Sequence, residues 1–439
     1  MAARSLTSHS RLLVRRLDEL GRISDEPGEL TRTFLSPAME RANHLVGGWM
    51  REAGLVVRED SVGNLIGRLE SSRAGSPDPA ALGGKGGVGR PRPAKTLLLG
   101  SHLDTVRNAG RFDGALGVVL PIVALAELRR RGVVLPFAVE VLGFSEEEGV
   151  RFASAYLGSK GYAGKMCAAD LKLRDADRVS VGEAIRGWSR GAPAAVLRRN
   201  AARAPRPQQL LGYLEVHIEQ GPVLEDRKLA VGVVSAIASQ TRGRLTFRGQ
   251  AGHAGTTPMS LRRDALAGAA EFVLLAEAFA AARSPLVATV GTINIPSGAA
   301  NVIPGEAALS LDVRHPNDAA CNRAVAQLVA QAKRIARRRR LALTWQPTMT
   351  HRATPCSRTL TASLIRSVRA VQGRSLSLVS GAGHDGVVMA ALTPVAMLFV
   401  RCRDGLSHHP DEYAAPADLG VALQVVIDFL LRLAKDHPS

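Results

Sequence analysis

The chain has 439 residues, of which 46% are hydrophobic and 22% are charged. This composition is that of a globular protein and excludes a disordered chain, and the length suffices for two domains. The longest uncharged apolar run, residues 114–126, is shorter than the roughly 18 residues that a membrane-spanning helix needs, so we expect no membrane partner. Charged residues interrupt the N-terminal region, where a secretory signal needs a continuous apolar core, and we therefore expect a cytoplasmic protein.

The 57 Lys and Arg residues exceed the 39 Asp and Glu residues, which gives a formal net charge of +18. A basic protein suits acidic partners such as nucleic acids, but aromatic residues make up only 4% of the chain and the sequence contains no nucleic-acid-binding motif. The excess charge therefore indicates a solvated basic surface, and we expect no nucleic-acid partner. The four cysteines form no CxxC pair, so the sequence predicts neither a disulfide framework nor a thiolate zinc site.

The first part of the chain alternates between helical and strand-like patterns. Apolar residues recur at helical spacing in two early segments, and apolar strands then alternate with a further helix. Such alternation predicts a mostly parallel sheet flanked by helices. Between these parts, Ser71–Lys95 is rich in Gly, Pro, Ser and Ala, so we expect a mobile surface segment without catalytic residues. The predicted helices are 12–20, 38–53 and 115–130, and the predicted strands are 55–57, 65–69, 96–100 and 136–144.

The pattern changes near residue 235. A second irregular stretch at 174–209 and a strand at 212–218 precede this point, and a compact α+β pattern follows it. We predict an α/β fold with a catalytic domain in two parts, residues 1–235 and 351–439, and a smaller α+β domain, residues 236–350, inserted between them. The later predicted strands are 244–248, 286–293, 307–313, 341–346 and 395–400, and the later helices are 263–282, 319–337, 360–371 and 416–433.

A first candidate site follows the strand at 96–100. His102 and Asp104 end this strand, and Asp113 comes eleven positions after His102. Ligands of open α/β sheets bind at the carboxyl ends of the strands, and the period of two places His102 and Asp104 on one side. A metal-binding histidine needs a partner that fixes its tautomer, and Asp104 can supply it. The same residues also suit a purely structural His–Asp pair, and this cluster alone does not decide between the two.

A second cluster, Glu146, Glu147 and Glu148, ends the next predicted strand. Adjacent acids repel one another, and a cation relieves this repulsion, although a solvated acidic turn is the alternative interpretation. With His217 and His408, the two clusters form a nitrogen and oxygen donor set that suits zinc or manganese. Two such ions, about 3.5–4 Å apart, can stabilise a hydrolytic transition state, and one unliganded glutamate would act as general base.

Segments throughout the chain resemble one known family. The chain is similar to the amidase branch of the dinuclear metallopeptidases related to aminoacylase, the M20 family, which contains allantoate amidohydrolases, N-carbamoyl-L-amino-acid hydrolases and β-ureidopropionases. The resemblance covers nearly the whole chain, and it implies that the inserted domain forms a homodimer interface and closes over the site. The segments are, in the family's order, GSHLDTV, GRFDGALGV, SEEEGVRF, EVHIEQGPVLE, GHAGTTPM, ANVIPG, SLDVRH, SGAGHDG and GLSHHP.

The resemblance implies two divalent metal ions, Mn²⁺ or Zn²⁺, in each subunit. Asp113 would bridge the ions, and Glu147 would be the general base. The family pattern places the base and the ligand glutamate directly before a glycine, here Gly149, so Glu146 is only a neighbour. Asp104 would assist catalysis as the partner of His102. The implied metal ligands are His102, Asp113, Glu148, His217 and His408.

The resemblance also implies a set of substrate contacts. His253 and Asn301 would polarise the reacting carbonyl, and Arg314 would bind a carboxylate, for which its planar fork is well shaped. Several of these contacts belong to the inserted domain, so closure of that domain would complete the site. The full set is Gln220, His253, Asn301, Arg314 and Gly383.

All branches of the family hydrolyse a ureido or carbamoyl amide, so we expect a small anionic ureido substrate. The segments RTFLSPAMERAN and MLFVRCRDGLSHHPDE resemble allantoate amidohydrolases more than carbamoyl-amino-acid hydrolases, which favours allantoate as substrate and manganese as metal. N-carbamoyl-L-amino-acid hydrolase and β-ureidopropionase activities are alternatives, as is an aminoacylase or exopeptidase on the same scaffold. A metal-free binding protein is a further alternative, although such a protein would be expected to have lost metal ligands.

Overall fold

The computed structural model describes residues 2–71, 95–189, 192–296 and 298–437, so the predicted surface segment 71–95 lies outside it except for its two end residues. None of the helices that it describes has the length and apolar character to cross a membrane. The helices are α1 (Ala2–Leu20), α2 (Pro37–Glu52), α3 (Ala115–Arg130), α4 (Leu157–Tyr162), α5 (Val181–Ser189), α6 (Pro193–Arg203), α7 (Val223–Asp226), α8 (Ala265–Ala281), α9 (Asp318–Arg338), α10 (Arg358–Gln372), α11 (Gly386–Met389) and α12 (Pro416–Asp436).

The strands alternate with these helices in the first part of the chain, and most of the strands follow residue 230. They are β1 (Val56–Glu59), β2 (Leu65–Leu69), β3 (Thr96–His102), β4 (Ala138–Phe144), β5 (Leu210–Ile218), β6 (Val231–Ile237), β7 (Ser239–Arg248), β8 (Gly252–His253), β9 (Val287–Thr289), β10 (Ile293–Asn294), β11 (Val302–Ile303), β12 (Glu306–His315), β13 (Ala342–His351), β14 (Thr354–Pro355), β15 (Ser377–Ser380) and β16 (Val395–Val400).

The chain forms two compact units. Unit 1 comprises Met1–Ser235, Cys356–Leu378 and His384–Ser439, and unit 2 comprises Ala236–Pro355 and Val379–Gly383. Unit 2 therefore takes residues 379–383 from the part of the chain that the sequence assigned to the catalytic domain. The roles predicted for the inserted domain, dimerisation and closure over the site, stay predictions.

The sheet of unit 1 is mixed, with a parallel centre. Its strands run in the order β1-β2-β4-β3-β5-β16-β6. The four central strands β4, β3, β5 and β16 are parallel to one another, whereas the β1–β2 hairpin and β6 add in antiparallel orientation. The sequence predicted a mostly parallel sheet, and the parallel part is its centre, where α3 connects β3 to β4 and α4 to α6 lie between β4 and β5.

Alternation along the strands gives the sheet two buried faces. In β3, Leu97 and Leu99 pack into the larger core with α1, α2, α3, α10 and α12, whereas Leu98 points into a second core that contains Tyr213 and Met389. Helix α3 is buried along nearly its whole length, which explains why its sequence is apolar on every side. These two cores fix the parallel strands in register, so their carboxyl ends meet at one edge.

Unit 2 is an antiparallel sheet with helices on one face. Its strands run in the order β10-β12-β7-β13, and β9 also pairs with β12. Residues of β12 alternate between buried and partly exposed, and the buried ones, such as Leu309 and Leu311, pack against α8 and α9. The single strand predicted at 286–293 is wrong in detail, because the structure has two short strands there, β9 and β10, separated by a break.

The prediction of an irregular stretch at 174–209 is also wrong, since the stretch contains all of α5 and α6. Gly and Pro at the helix ends hide the helical spacing of the apolar residues between them. Val181, Ile185 and Val196 are fully buried in a separate core with Phe34. At the start of α5, the Ser180 side chain and backbone N–H donate to Glu183, and Pro193 begins α6, where its missing N–H costs nothing.

Candidate metal centre

The carboxyl ends of the parallel strands bring the predicted metal ligands of unit 1 together. His102 is the last residue of β3, His217 is next to last in β5, and the three acids Glu146 to Glu148 follow β4. Asp113 precedes α3, and the loop after β16 carries His408. The five predicted ligands therefore come together, because parallel strands and the loops that follow them end at one edge of the sheet. They are His102, Asp113, Glu148, His217 and His408.

The carboxylate of Asp113 lies at the centre of this cluster. Its Oδ1 lies 3.0 Å from Nε2 of His217 and 3.4 Å from Nε2 of His102. Its Oδ2 lies 3.4 Å from Nε2 of His408, which in turn lies 3.6 Å from Oε1 of Glu148. Each oxygen of Asp113 thus faces its own donors, which is the arrangement that a carboxylate bridging two ions requires.

The donor atoms form overlapping groups of suitable size for metal ions. Within each group, one donor atom per residue lies within 4.8 Å of the others. We call His102, Asp113 and His217 the first ligand group, and Asp113, Glu148 and His408 the second ligand group. A third combination joins His102 to Glu147 and Glu148. Nitrogen and carboxylate donors of this kind suit Zn²⁺ or Mn²⁺, so the residues fit two divalent ions.

Hydrogen bonds fix the tautomers of the two buried histidines. Nδ1 of His217 lies 2.9 Å from the carbonyl oxygen of Ile218, and Nδ1 of His102 lies 3.0 Å from that of Asp104. A carbonyl oxygen only accepts, so each Nδ1 carries the proton, and each neutral ring turns the lone pair of Nε2 toward Asp113. Lone pairs that face a carboxylate repel it, and a proton or a metal ion between them removes the repulsion.

The pKa values of the histidines and of Asp113 show that these groups stabilise opposite charges on one another. Burial lowers the pKa of His217, but the charge of Asp113, the hydrogen bond to Asp113 and the charge of Glu215 together outweigh burial and raise it. The hydrogen bond to Asp113 raises the pKa of His408 to about 9. Burial raises the pKa of Asp113, yet His217 and His102 together hold it well below its usual range. In the absence of metal, protons on the imidazoles therefore supply the positive charge that this site needs.

The acidic loop after β4 is held in place by its own hydrogen bonds. The Asp104 carboxylate accepts the backbone N–H groups of Glu147 at 3.0 Å and Glu148 at 3.1 Å. The Glu146 side chain accepts the N–H groups of Gly149 at 2.6 Å and Leu157 at 3.2 Å. Glu146 thus braces the loop, as expected of a neighbour of the site, while Glu147 and Glu148 belong to groups of possible metal-binding side chains.

Because of their burial, Glu147 and Glu148 hold their protons more readily than glutamates in water do. It raises the pKa of Glu148 to about 7, and the charge of Asp113 adds to the effect. Burial also raises the pKa of Glu147 well above its usual range, against the opposing effect of His102. A carboxyl with a raised pKa can exchange a proton near neutral pH, which suits general acid and base chemistry.

Gly114 allows the loop of Asp113 to approach His102. Its φ of +63° favours glycine, and a Cβ atom at this position would lie 2.4 Å from Cε1 and Nδ1 of the His102 ring. Any side chain here would therefore displace the ring. The glycine that follows Asp113 in the RFDG segment is a requirement of the first ligand group.

Gln220 lies on the side of the second ligand group. Its Nε2 donates to Oδ2 of Asp113 at 2.8 Å and lies 3.3 Å from Nε2 of His408. Its Oε1 is buried and has no hydrogen-bond partner among the described residues. The structure thus places this predicted substrate contact beside the metal ligands, with an N–H donor directed at the carboxylate.

Two buried acids next to these predicted ligands, Glu215 and Glu412, were not predicted from the sequence. Glu215 accepts from the Ser101 hydroxyl and from the Gly386 backbone N–H, each at 2.9 Å. Glu412 accepts the backbone N–H of Asp113 at 3.1 Å. A sequence signal exists for Glu215, which precedes His217 by two positions in a strand, so that both lie on one side of it. Glu412 lies in a loop and has no such signal.

The remaining predicted substrate contacts belong to unit 2. His253 and Asn301 are adjacent there, because β8 pairs with β11 and the Ala254 N–H donates to the carbonyl oxygen of Asn301 at 2.9 Å. Nδ1 of His253 accepts the N–H groups of Gly255 at 3.1 Å and Thr256 at 3.2 Å. Because Nδ1 accepts, the neutral ring carries its proton on Nε2 and presents an N–H donor.

Arg314 is held in a fixed orientation within unit 2. Its Nε and Nη2 donate to the Asp312 carboxylate at 3.0 and 2.9 Å, and Nη1 donates to the carbonyl oxygen of Gly381. Arg242 also donates to Asp312, so two arginines share one carboxylate and the cluster keeps a net positive charge. Gly383 ends the segment 379–383 that contains Gly381.

Comparison with known proteins gives a consistent result. Residues 98–432 match the model of peptidase family M20/M25/M40. The chain is 38% identical over 447 residues to a protein named allantoate deiminase from Arabidopsis thaliana, covering 95% of this chain and 81% of that one. It is 37% identical over 424 residues to an N-carbamoyl-L-amino acid amidohydrolase from Geobacillus stearothermophilus, covering 96% of this chain and 98% of that one.

A solved structure is similar over the same length. The crystal structure of a hydantoinase/carbamoylase family amidase from Burkholderia multivorans superposes with a TM-score of 0.85 at 31% sequence identity. The match covers 97% of this chain and 98% of that one. The similarity therefore extends over both units and is not confined to the candidate metal centre.

We predict that the apparent affinity for Mn²⁺ or Zn²⁺ rises as the pH increases from about 6 to 9. Metal binding requires neutral imidazoles and ionised carboxylates. The raised pKa values of His408, about 9, and Glu148, about 7, keep protons on these ligands at lower pH, and the metal must displace them. Calorimetric titration of metal-free protein in two buffers of different ionisation enthalpy would count the released protons. An affinity that does not change with pH would contradict this prediction.

Proposed function

The chain belongs to peptidase family M20/M25/M40, and from this premise we propose that it hydrolyses a ureido C–N bond, with allantoate as the substrate. The observation that carries the proposal is the pair of ligand groups that share Asp113, with the buried carboxyl of Glu147 beside them. The similarity to relatives named for allantoate and N-carbamoyl amino acids points to a ureido substrate.

The distances between donor atoms divide the proposed ligands between two ions. His102 and His217 would hold one ion and Glu148 and His408 the other, with Asp113 between them. Bound divalent ions of this kind lower the pKa of water and neutralise the negative charge that develops on a carbonyl oxygen. Manganese and zinc both accept this set of nitrogen and oxygen donors.

Glu147 is the proposed general base. Its carboxyl is 8% exposed, and burial raises its pKa, so it can accept a proton from the attacking water and release it later. As the water oxygen adds to the ureido carbonyl carbon, Glu147 takes one of its protons. It then delivers this proton to the leaving nitrogen while the C–N bond breaks. The products from allantoate are ureidoglycine and carbamate, which decomposes to ammonia and carbon dioxide.

Unit 2 supplies the proposed contacts to the rest of the substrate. The Nε2–H of His253 is available to donate to the reacting carbonyl oxygen, because the two backbone N–H groups at Nδ1 determine the tautomer of the neutral ring. Asn301 directly precedes β11, in which Val302 pairs with His253, and provides a side-chain amide. Gln220 in unit 1 and Gly383 complete the proposed set.

Arg314 is the proposed site for the substrate carboxylate. Of its five N–H groups, three are occupied by Asp312 and Gly381, which leaves one N–H on each terminal nitrogen among the described residues. These two N–H groups are the proposed donors to the two oxygens of the substrate carboxylate. Since Asp312 holds the guanidinium in place, little entropy is lost when the substrate binds.

N-carbamoyl-L-amino acids are the second candidate substrates. They carry the same carboxylate and the same ureido group, and the carbamoyl-hydrolysing relative from Geobacillus stearothermophilus matches over 98% of its own length. N-carbamoyl-β-alanine, the substrate class of β-ureidopropionases, and the peptides or acylated amino acids cleaved by exopeptidases and aminoacylases are further outcomes. We also propose that the working form is a cytoplasmic homodimer without nucleic-acid or membrane partners, which rests on the family resemblance and on composition.

The decisive experiment measures ammonia release from allantoate by protein that has been stripped with a chelator and reloaded with Mn²⁺ or Zn²⁺. N-carbamoyl-L-amino acids, N-carbamoyl-β-alanine and N-acetyl amino acids are assayed beside it. Metal-dependent turnover of allantoate in clear preference to the others supports the proposal. Preference for a carbamoyl amino acid would replace the substrate, and turnover of none of the ureido compounds would overturn the proposed reaction.

The variant Glu147→Gln should bind metal as the wild type does and lose about 10²- to 10⁴-fold in kcat, because an amide cannot carry the proton. Metal content by mass spectrometry and steady-state kinetics check the two parts of this prediction. Glu140→Gln is a matched control, since Glu140 has the same 8% exposure and contacts Arg68 and Tyr162 instead of the metal ligands. Nearly unchanged turnover in Glu147→Gln would exclude it as the base.

The variant Arg314→Ala should raise KM for an anionic ureido substrate by about 10- to 100-fold, which corresponds to losing hydrogen bonds to a charged group. The kcat at saturation should change far less, because Arg314 contacts a part of the substrate that does not react. Arg248→Ala is the control, since Arg248 lies on the same sheet and pairs with Glu306. If both variants behave alike, or if Arg314→Ala affects only kcat, Arg314 does not bind the carboxylate.

A further inference from the structure

Glu412 links two loops that carry metal ligands. It lies four residues after His408 and is 1% exposed. Its Oε1 accepts the backbone N–H groups of Phe112 at 2.9 Å and Asp113 at 3.1 Å, which are 300 and 299 positions away in sequence. A single carboxyl oxygen thus holds the backbone of the loop that presents the Asp113 carboxylate.

The second oxygen of Glu412 reaches the Asp113 side chain through a serine. Oε2 of Glu412 lies 2.9 Å from Oγ of Ser407, and the same Oγ lies 2.7 Å from Oδ2 of Asp113. Ser407 directly precedes His408. Glu412 is therefore linked to Asp113 in two ways. Its carboxylate accepts directly from the Asp113 backbone N–H, and the Ser407 hydroxyl lies between the carboxylates of Glu412 and Asp113.

The space around Glu412 is shaped for this side chain. A Cβ atom at Gly110 would lie 2.3 Å from Cβ of Glu412 and 2.4 Å from its Oε1. Gly110 thus lets the loop of Asp113 approach Glu412 closely enough for both backbone N–H groups to reach it. The contact is close-packed as well as hydrogen-bonded, so a shift of Glu412 must move the Asp113 loop or the His408 loop.

We propose that Glu412 is a positioning residue that sets the separation of Asp113 and His408 and thereby the metal affinity of the second ligand group. This inference rests on the metal binding in the proposed function but not on the identity of the substrate. Nε2 of His408 lies 3.4 Å from Asp113 and 3.6 Å from Glu148, and His408 is 48% exposed, so surrounding protein constrains it little. Glu412 and Ser407 supply the missing constraint.

The first ligand group does not depend on Glu412 in the same way. His102 and His217 belong to two parallel strands of the buried sheet, and hydrogen bonds to carbonyl oxygens fix both rings. Asp113 belongs to both ligand groups, so loss of Glu412 should weaken both ions, but the ion of the second ligand group much more than the ion of the first. A merely structural residue would instead lower stability without distinguishing between the two ions.

The test compares metal binding by Glu412→Ala, Glu412→Gln and Ser407→Ala with that of the wild-type chain. Metal-free protein is titrated with Mn²⁺ and Zn²⁺ in a calorimeter, and bound metal is counted after gel filtration. We expect two sites in the wild type. In Glu412→Ala the ion of the second ligand group should lose at least about 10-fold in affinity, so the ratio of bound metal to protein falls toward one, while the affinity for the ion of the first ligand group changes less than about 3-fold.

The two further variants separate the two contacts. Glu412→Gln keeps an oxygen for the backbone N–H groups, so we expect a smaller loss than in Glu412→Ala, and Ser407→Ala removes only the bridge to the Asp113 side chain. Both keep the proposal testable if Glu412→Ala does not fold. Glu140→Gln is the control for loss of a buried carboxylate elsewhere, and it should bind two ions like the wild type.

Specific outcomes would overturn the inference. Equal weakening of both ions in Glu412→Gln and Ser407→Ala, or unchanged binding in both, would show that Glu412 does not position the second ligand group. Failure of the proposed function would look different. A chain that hydrolyses no ureido compound but shows the selective loss of one ion keeps the inference, whereas a chain with normal turnover and unchanged metal binding in these variants refutes the inference alone.

Discussion

The Asp113 carboxylate is the interaction on which the rest of the candidate site depends. A buried ionised carboxylate is costly unless positive or donor groups surround it, and Asp113 is only 4% exposed. Imidazoles of His102 and His217 face one oxygen, and an amide and a hydroxyl donate to the other. The neighbouring strands and loops thus surround the Asp113 carboxylate with polar groups. Because these groups approach both carboxylate oxygens, a ligand group forms at each oxygen.

The surroundings of Asp113 contain more acids than cations. Glu147, Glu148 and Asp385 all have raised pKa values, with burial as the main cause. One compensating charge is Arg32, which is fully buried and donates to the carbonyl oxygens of Leu103, Leu20 and Ile23, although burial lowers its pKa to about 10. It holds the strand exit next to Asp104 without neutralising the cluster. The excess negative charge is a physical reason why divalent cations suit this site.

The sequence predicted the parallel strands and the ligands at their ends because both follow simple periodic rules. An apolar run that ends in His or in acids places those residues at the carboxyl edge whatever the details of packing. The helices α5 and α6 escaped prediction because Gly and Pro at their ends interrupt the pattern, and their burial depends on Phe34, far away in the chain. The break between β9 and β10 likewise depends on how each pairs with β12.

The supporting residues could not be predicted for a related reason. The side chains of Glu412 and Arg32 hydrogen-bond to backbone groups. Every segment of the chain has backbone N–H and C=O groups, so the sequence of the partner segment does not show that it will bind these side chains. Such contacts become visible only when the fold brings the loops together. They also explain how one glycine, Gly110, comes to matter, since its role is to leave room for a carboxyl that lies 302 positions later in the chain.

The proposed substrate contacts of unit 2 are held by hydrogen bonds within that unit. Backbone N–H groups determine the tautomer of His253, and Asp312 determines the orientation of Arg314, all within unit 2. Neither arrangement requires a metal or a substrate, so the proposed donors are oriented in advance, which lowers the entropy cost of binding.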